Sequence, residues 1–131
     1  MKIAVIGLGK LGYPMAEFLS SSALSINCYD KNEKLVLSLI NGSKYLEFES
    51  GLQNYVTNGN MLNFFLKIED CLKNTSMAFI TVPTPSNQNG SFSNEYLINV
   101  LEDIAAYLKK NKINEPYVIN INSTVSPGSI D

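Results

Sequence analysis

Three glycines and one carboxylate define the chemistry open to this chain. Gly7-Leu8-Gly9-Lys10-Leu11-Gly12 has the G-x-G-x-x-G spacing, and Asp30 stands 18 residues beyond Gly12. That pattern suits a dinucleotide held by its phosphates and its ribose. Gly7 lets the chain turn sharply, Gly9 lets a pyrophosphate approach the backbone, and Gly12 lets the next helix pack close to the preceding strand. The helix entered through Lys10 and Leu11 offers N–H groups and a positive dipole end to phosphate. Asp30 lies near the expected gap of roughly 20 residues, where an acid accepts hydrogen bonds from the adenosine ribose hydroxyls. Its charge repels the 2′-phosphate of NADP, and NADP sites usually supply an arginine there. This chain contains no arginine. The favoured cofactor is therefore NAD, although Lys31 and Lys34 leave NADP open because a lysine can meet phosphate as a point charge. The plainer alternative makes the three glycines turn and packing residues and Asp30 a helix cap.

The surrounding elements must hold these residues in one place. Ile3-Ala4-Val5-Ile6 is the apolar run of a strand covered on both faces. The pattern Leu11, Met15, Phe18, Leu19 predicts the apolar face of a helix over about Leu11–Ser20, with Pro14 harmless in its first turn. A strand over Ser25–Tyr29 leads to Asp30. A helix over Asn32–Ile40 is expected to place Leu35, Val36, Leu39 and Ile40 on one face, and Asn41-Gly42 stops it. Ser43–Ser50 reads as a loop, Gly51–Asn58 as a short helix and Asn58-Gly59-Asn60 as a turn. Phe64–Ile68 reads as a strand, Glu69–Asn74 as a short helix and Met77–Val82 as a buried strand. A polar loop, Ser86–Ser93, precedes a helix capped by Ser93 or Asn94 and running to Lys110, with Leu97, Val100, Leu101, Ile104 and Leu108 as its core stripe. Tyr117–Ile121 is the fifth strand. Alternating strands and helices predict an α/β fold, a Rossmann-type doubly wound parallel sheet of about five strands in a single domain, residues 1–131. Ligands bind beyond the carboxyl ends of such strands. Gly7–Gly12, Asp30, Val82-Pro83-Thr84-Pro85 and Ser123–Gly128 punctuate those ends and are expected to line one crevice. Thr84, Ser123 and Thr124 bring hydroxyls there, with ordinary turn capping as the alternative role.

Composition narrows the function. At 131 residues with 45% hydrophobic content, the chain can bury a real core. A net charge of −2 and ten scattered lysines give no field for nucleic acid. No apolar run approaches the ~20 residues of a membrane span, and the glycine-broken N-terminus is not followed by a signal cleavage pattern, so a cytoplasmic protein is expected. The chain has no histidine and two cysteines. A His-based triad or His-ligated metal within it is excluded, and Cys28 and Cys71 form neither a disulfide framework nor a metal motif.

The chain resembles the N-terminal NAD-binding domain of the UDP-glucose/GDP-mannose dehydrogenase family. The resemblance runs through Lys2–Gly9, Gly12-Tyr13-Pro14, Asp30, Glu49-Ser50-Gly51-Leu52, Val82-Pro83-Thr84-Pro85 with Asn89-Gly90-Ser91, and Ser123-Thr124-Val125-Ser126-Pro127-Gly128. It implies NAD-dependent oxidation of a nucleotide-sugar C6 hydroxyl to a carboxylate with two NAD. It also implies that Val82, Pro83, Thr84, Ser123 and Thr124 lie near the cofactor, with Thr124 in a supporting role near the reacting centre. Departures are Lys10-Leu11 for the usual Tyr-Val, Asn122 for the usual lysine, and Leu35 where the family often has lysine. The family's nucleophilic cysteine and assisting lysine belong to regions beyond residue 131, and neither Cys28 nor Cys71 matches. The chain is therefore expected to be a truncated N-terminal part of a longer enzyme, inactive alone, with a nucleotide-sugar substrate and a homo-oligomeric state belonging to the full-length protein. Alternatives are a β-hydroxyacid dehydrogenase of the 3-hydroxyisobutyrate type, which shares Gly7–Gly12, Pro14-Met15-Ala16 and a Ser-Thr-x-Ser-Pro stretch, and a non-catalytic dinucleotide-binding module. A methyltransferase fits the glycine spacing poorly.

Overall fold

Lys2–Ile6 forms β1, the central strand, and four of its five residues are buried. Its alternation splits the core in two, as a two-residue period requires. Ile3 and Val5 join Leu8, Tyr13, Ala16, Ile26, Cys28, Val36 and Leu39 in one cluster. Ala4 and Ile6 join Cys71, Leu72, Ala78, Ile80, Leu97, Val100 and Ile104 in the other. A computed structural model describes residues 1–22, 24–42 and 62–130. After β1 come α1 (Gly12–Ser20), β2 (Ser25–Tyr29), α2 (Glu33–Ile40), β3 (Leu62–Phe65), α3 (Ile68–Leu72), β4 (Met77–Ile80), α4 (Glu95–Lys110) and β5 (Val118–Ile121). The strands form one sheet in the order β3-β2-β1-β4-β5, and every pairing is parallel. This is the expected doubly wound α/β sheet. Between β1 and β4 the winding reverses, and that switch point opens a crevice beyond the carboxyl ends of both strands. The expected Ser43–Ser50 loop, Gly51–Asn58 helix, Asn58-Gly59-Asn60 turn and Glu49-Ser50-Gly51-Leu52 motif lie outside the described residues.

Two strands end earlier than their apolar character predicts, because their partners end. The last β2–β3 pair is Tyr29 with Phe65, so the strand expected over Phe64–Ile68 stops at Phe65 and Ile68 opens α3 instead. Glu69 and Asp70 in the first turn of α3 suit the positive end of a helix. Likewise the last β1–β4 pair is Ile6 with Ile80, so β4 stops short of Val82. Asn27, 2% exposed on β2, donates from Nδ2 to the Cys71 carbonyl at 2.8 Å and ties α3 to the sheet. The caps follow the expected chemistry in part. The Asn32 side chain accepts from Leu35 N–H to start α2, and Gly42 follows that helix at φ +81°. At α4 the Asn94 side chain makes no cap bond, and Ser93 Oγ accepts from the Glu95 N–H at 3.4 Å.

The inward face of α1 matches the expected apolar stripe only in part: Leu19 packs against the core. Leu11 and Phe18 are 53% and 60% exposed, whereas Gly12, Tyr13, Ala16, Glu17 and Ser20 are buried. Gly12 forces this arrangement. It brings α1 so close to β1 that the face turned inward is the i, i+4, i+8 row of Gly12, Ala16 and Ser20, whose small side chains fit the gap. On α2, Val36 and Leu39 are buried and Leu35 packs against them, while Ile40 is turned outward at 50% exposure.

Candidate cofactor-binding site

The site begins where β1 ends. Gly7 adopts φ +95°, and a Cβ there would stand 2.8 Å from the Thr81 carbonyl carbon and oxygen. Only glycine meets both conditions without strain. The Gly7 N–H donates to the Tyr29 carbonyl at 2.9 Å, and the Thr81 N–H donates to the Ile6 carbonyl at 2.9 Å. The turn is thus held to both neighbouring strands. Thr81 adds a side-chain clamp, with Oγ1 donating to the Gly7 carbonyl at 2.7 Å. Gly12 lies beneath that clamp, and a Cβ on it would overlap the Gly7 carbonyl oxygen and Thr81 Oγ1. Gly9 is different, since a Cβ there would meet nothing within 4 Å. Gly7 and Gly12 therefore serve the fold, and Gly9 leaves open space beside the backbone. No side-chain oxygen caps α1, whose N-cap position is Leu11. The positive dipole end of the helix is left without a side-chain partner.

Asp30, one residue past β2, reaches back to this turn. Its Oδ2 accepts from the Leu8 N–H at 2.7 Å, and its Oδ1 accepts from the Asn32 N–H at 2.7 Å. The second bond is the local turn that a capping role predicts. The first spans from β2 to the glycine turn and fixes the carboxylate beside it. Each ionised oxygen can accept more than one hydrogen bond, so both remain able to receive a ribose hydroxyl.

These groups border a cavity of about 600 Å³, a size typical of small-molecule sites at ~300–1,000 Å³. Gly7, Gly9, Lys10, Asp30, Val82 and Pro83 line it, as the sequence leads one to expect. The opposite wall is α4, through Tyr96, Asn99, Val100 and Asp103, and Ile6, Tyr29, Lys31, Asn32, Leu35 and Thr81 complete the lining. Lysines 10 and 31 balance aspartates 30 and 103. Tyr29 keeps its phenol proton, because burial and then the Asp103 and Asp30 carboxylates push its pKa upward. Leu11, Gly12, Thr84, Ser123 and Thr124 do not line the cavity. Ser123 Oγ donates to the Val82 carbonyl at 2.7 Å and joins the loops after β4 and β5. The α4 wall and Thr81 are the contributions that sequence reasoning missed. Thr81 carries a signal, as the single polar residue in the apolar run Met77–Val82.

Neither cysteine belongs to the site. Cys28 and Cys71 are fully buried and free. Burial pushes the Cys28 thiol up to about 12 and raises Cys71 as well, so both stay protonated and unreactive. No helix among the described residues is long and apolar enough to cross a membrane.

Comparison with known proteins agrees with this geometry. The chain is 31% identical to the UDP-glucose 6-dehydrogenase of Rickettsia bellii over 98% of its own length and 29% of the relative's. It is 29% identical to the GDP-mannose 6-dehydrogenase of Pseudomonas syringae pv. tomato, over 99% of this chain and 30% of that one. In structure it superimposes on a ternary complex of GDP-mannose dehydrogenase from Pseudomonas aeruginosa with a TM-score of 0.87 at 25% identity, covering 99% of this chain and 30% of that one. The chain thus spans about 30% of the length of these relatives. The profile of the UDP-glucose/GDP-mannose dehydrogenase family, NAD binding domain, matches residues 1–131. With a β3-β2-β1-β4-β5 parallel sheet, a glycine turn at its switch point and a carboxylate fixed beside that turn, the chain belongs to the UDP-glucose/GDP-mannose dehydrogenase family as its NAD-binding domain.

Proposed function

We propose that the chain is the cofactor-binding part of a longer nucleotide-sugar 6-dehydrogenase. The observation that carries this reading is the joining of Asp30 to the glycine turn through the Leu8 N–H, at the mouth of a cavity that Gly9 leaves open. The Gly9 backbone and the α1 N-terminus receive the pyrophosphate, with Lys10 beside it. Asp30 receives the adenosine ribose hydroxyls, and the Val82-Pro83-Thr84 and Ser123-Thr124 loops border the nicotinamide half, with Thr124 supporting the reacting centre. Bound NAD would supply the hydride acceptor for the sugar C6, and two NAD with one water would account for the change from alcohol to carboxylate. The family match over the whole chain favours this reading over a β-hydroxyacid dehydrogenase. The covalent step needs a nucleophile from outside these residues, because both thiols here are buried and protonated. The substrate is a UDP- or GDP-sugar, the site of action is the cytoplasm, and the complete enzyme is a homo-oligomer. The 131-residue chain alone binds NAD but does not turn over.

The test counts NADH per substrate consumed by the complete gene product given NAD with UDP-glucose, UDP-N-acetylhexosamines, GDP-mannose or 3-hydroxy acids. Two NADH per nucleotide sugar is the expected result. One NADH from a 3-hydroxy acid moves the protein to the β-hydroxyacid class, and NAD binding with no NADH from any substrate overturns the enzymatic reading in favour of a binding module.

A further inference from the structure

Lys31 immediately follows the carboxylate assigned to the ribose. Asp30 is fixed on both sides by the Leu8 and Asn32 N–H groups, so the backbone from which the Lys31 side chain departs is fixed as well. A phosphate on the adenosine 2′-oxygen stands beside the ribose-binding acid, where a neighbouring cation would ordinarily meet it. Lys31 is the lysine in that place. Lys10 lines the cavity at its glycine end, and Lys34 does not line it. The Lys31 ammonium, however, lies over the ring of Tyr96, 3.3 Å from its centroid. Tyr96 sits in the first turn of α4, across the cavity from β2.

We propose that Tyr96 is a cofactor-selectivity residue that disfavours NADP by holding the Lys31 ammonium on its ring. The inference rests on the NAD site described above and goes beyond the repulsion that Asp30 itself supplies. An ammonium engaged by an aromatic face must give up that attraction before it can serve a phosphate. NADP then meets the Asp30 charge without compensation from Lys31. Asp103 on the same wall of the cavity adds a second negative charge against a phosphate dianion. NAD has no group at the 2′-oxygen that needs the ammonium and is indifferent to where it rests.

The test uses the 131-residue chain with Asp30 intact, because Asp30 holds the backbone that carries Lys31, and weak NADP binding is read by displacement of bound NAD. NAD and NADP dissociation constants are taken by calorimetry, and their ratio is the readout. The ratio cancels whatever Tyr96 contributes to the parts the two cofactors share. Adding Tyr96→Leu is expected to shift the ratio toward NADP by about two- to fivefold, the size of one exposed cation–π contact. Tyr96→Phe keeps a ring under the ammonium and should restore the parent ratio. In a Lys31→Met background, Tyr96→Leu should leave the ratio unchanged. A ratio that is unmoved or shifts toward NAD in Tyr96→Leu overturns the proposal, as does a shift that persists without Lys31. Failure of the unsubstituted chain to bind NAD is a separate result that overturns the site assignment together with the proposal.

Discussion

Gly12→Ala is expected to cost the chain at least about 3 kcal/mol, the upper end of the usual overpacking penalty, and to lower the melting temperature by roughly 10 °C. The added methyl would overlap the Gly7 carbonyl oxygen and Thr81 Oγ1 and stand 2.8 Å from the Gly7 carbonyl carbon. None of these atoms can yield cheaply. The Gly7 carbonyl belongs to the turn that ends β1, and Thr81 Oγ1 is held by its own bond to that carbonyl at 2.7 Å. Relief requires α1 to move off the sheet, which opens the packing of Tyr13 and Ala16 against Ile3, Val5 and Leu8. A thermal melt of the variant checks this, and a midpoint within about 2 °C of the parent would contradict the close packing of α1 on β1.

Gly9→Ala separates binding from folding. A Cβ at Gly9 has nothing within 4 Å, and Gly9 is not among the glycines at positive φ. The melting temperature should therefore stay within about 2 °C of the parent. The same methyl occupies the space that the pyrophosphate needs beside the backbone, so NAD affinity is expected to fall at least tenfold, or about 1.4 kcal/mol. Calorimetric titration with NAD reads this directly. Unchanged affinity would remove the pyrophosphate from Gly9. Asp30→Ala is a less clean probe, because it also strips an acceptor from the Leu8 and Asn32 N–H groups and so mixes loop order with ribose binding.

The contrast between these two glycines explains which parts of the site can be read from sequence. G-x-G-x-x-G is a set of backbone constraints closely spaced along the chain, and Asp30 is a single charged residue ending an apolar strand. Both are local, so spacing reveals them. The strands were legible for the same reason, although their ends were not. β3 and β4 stop where β2 and β1 stop, which depends on partners distant in sequence. On α1 hydrophobicity points correctly to Leu19 but not to Leu11 and Phe18, which are exposed, because close packing at Gly12 selects Ala16 and Ser20. The α4 wall was legible as a helix with a core stripe. Its second role, presenting Tyr96, Asn99 and Asp103 to the cavity, arises only when the crossover from β4 to β5 brings α4 over the crevice. Thr84 and Thr124 follow from the carboxyl-end position of their loops and from the family resemblance, and they stand outside the cavity lining. Their part in the chemistry rests on that resemblance and on the carboxyl-end position of their loops.

The central claim is that NAD lies across the carboxyl ends of β1 and β2, with its pyrophosphate over Gly9 and its ribose on Asp30. The most direct measurement is a titration of the ¹⁵N-labelled 131-residue chain with NAD, followed by amide chemical shifts. The account predicts the largest shifts at the backbone amides of Gly7–Gly12 and Asp30–Asn32, smaller ones along the cavity face of α4 around Tyr96 and Asn99, and little change in β5. Saturable shifts centred instead on the open cleft between α3 and the C-terminal half of α4, lined by Lys67, Glu69, Tyr107 and Lys110, with the glycine turn unmoved, would contradict it.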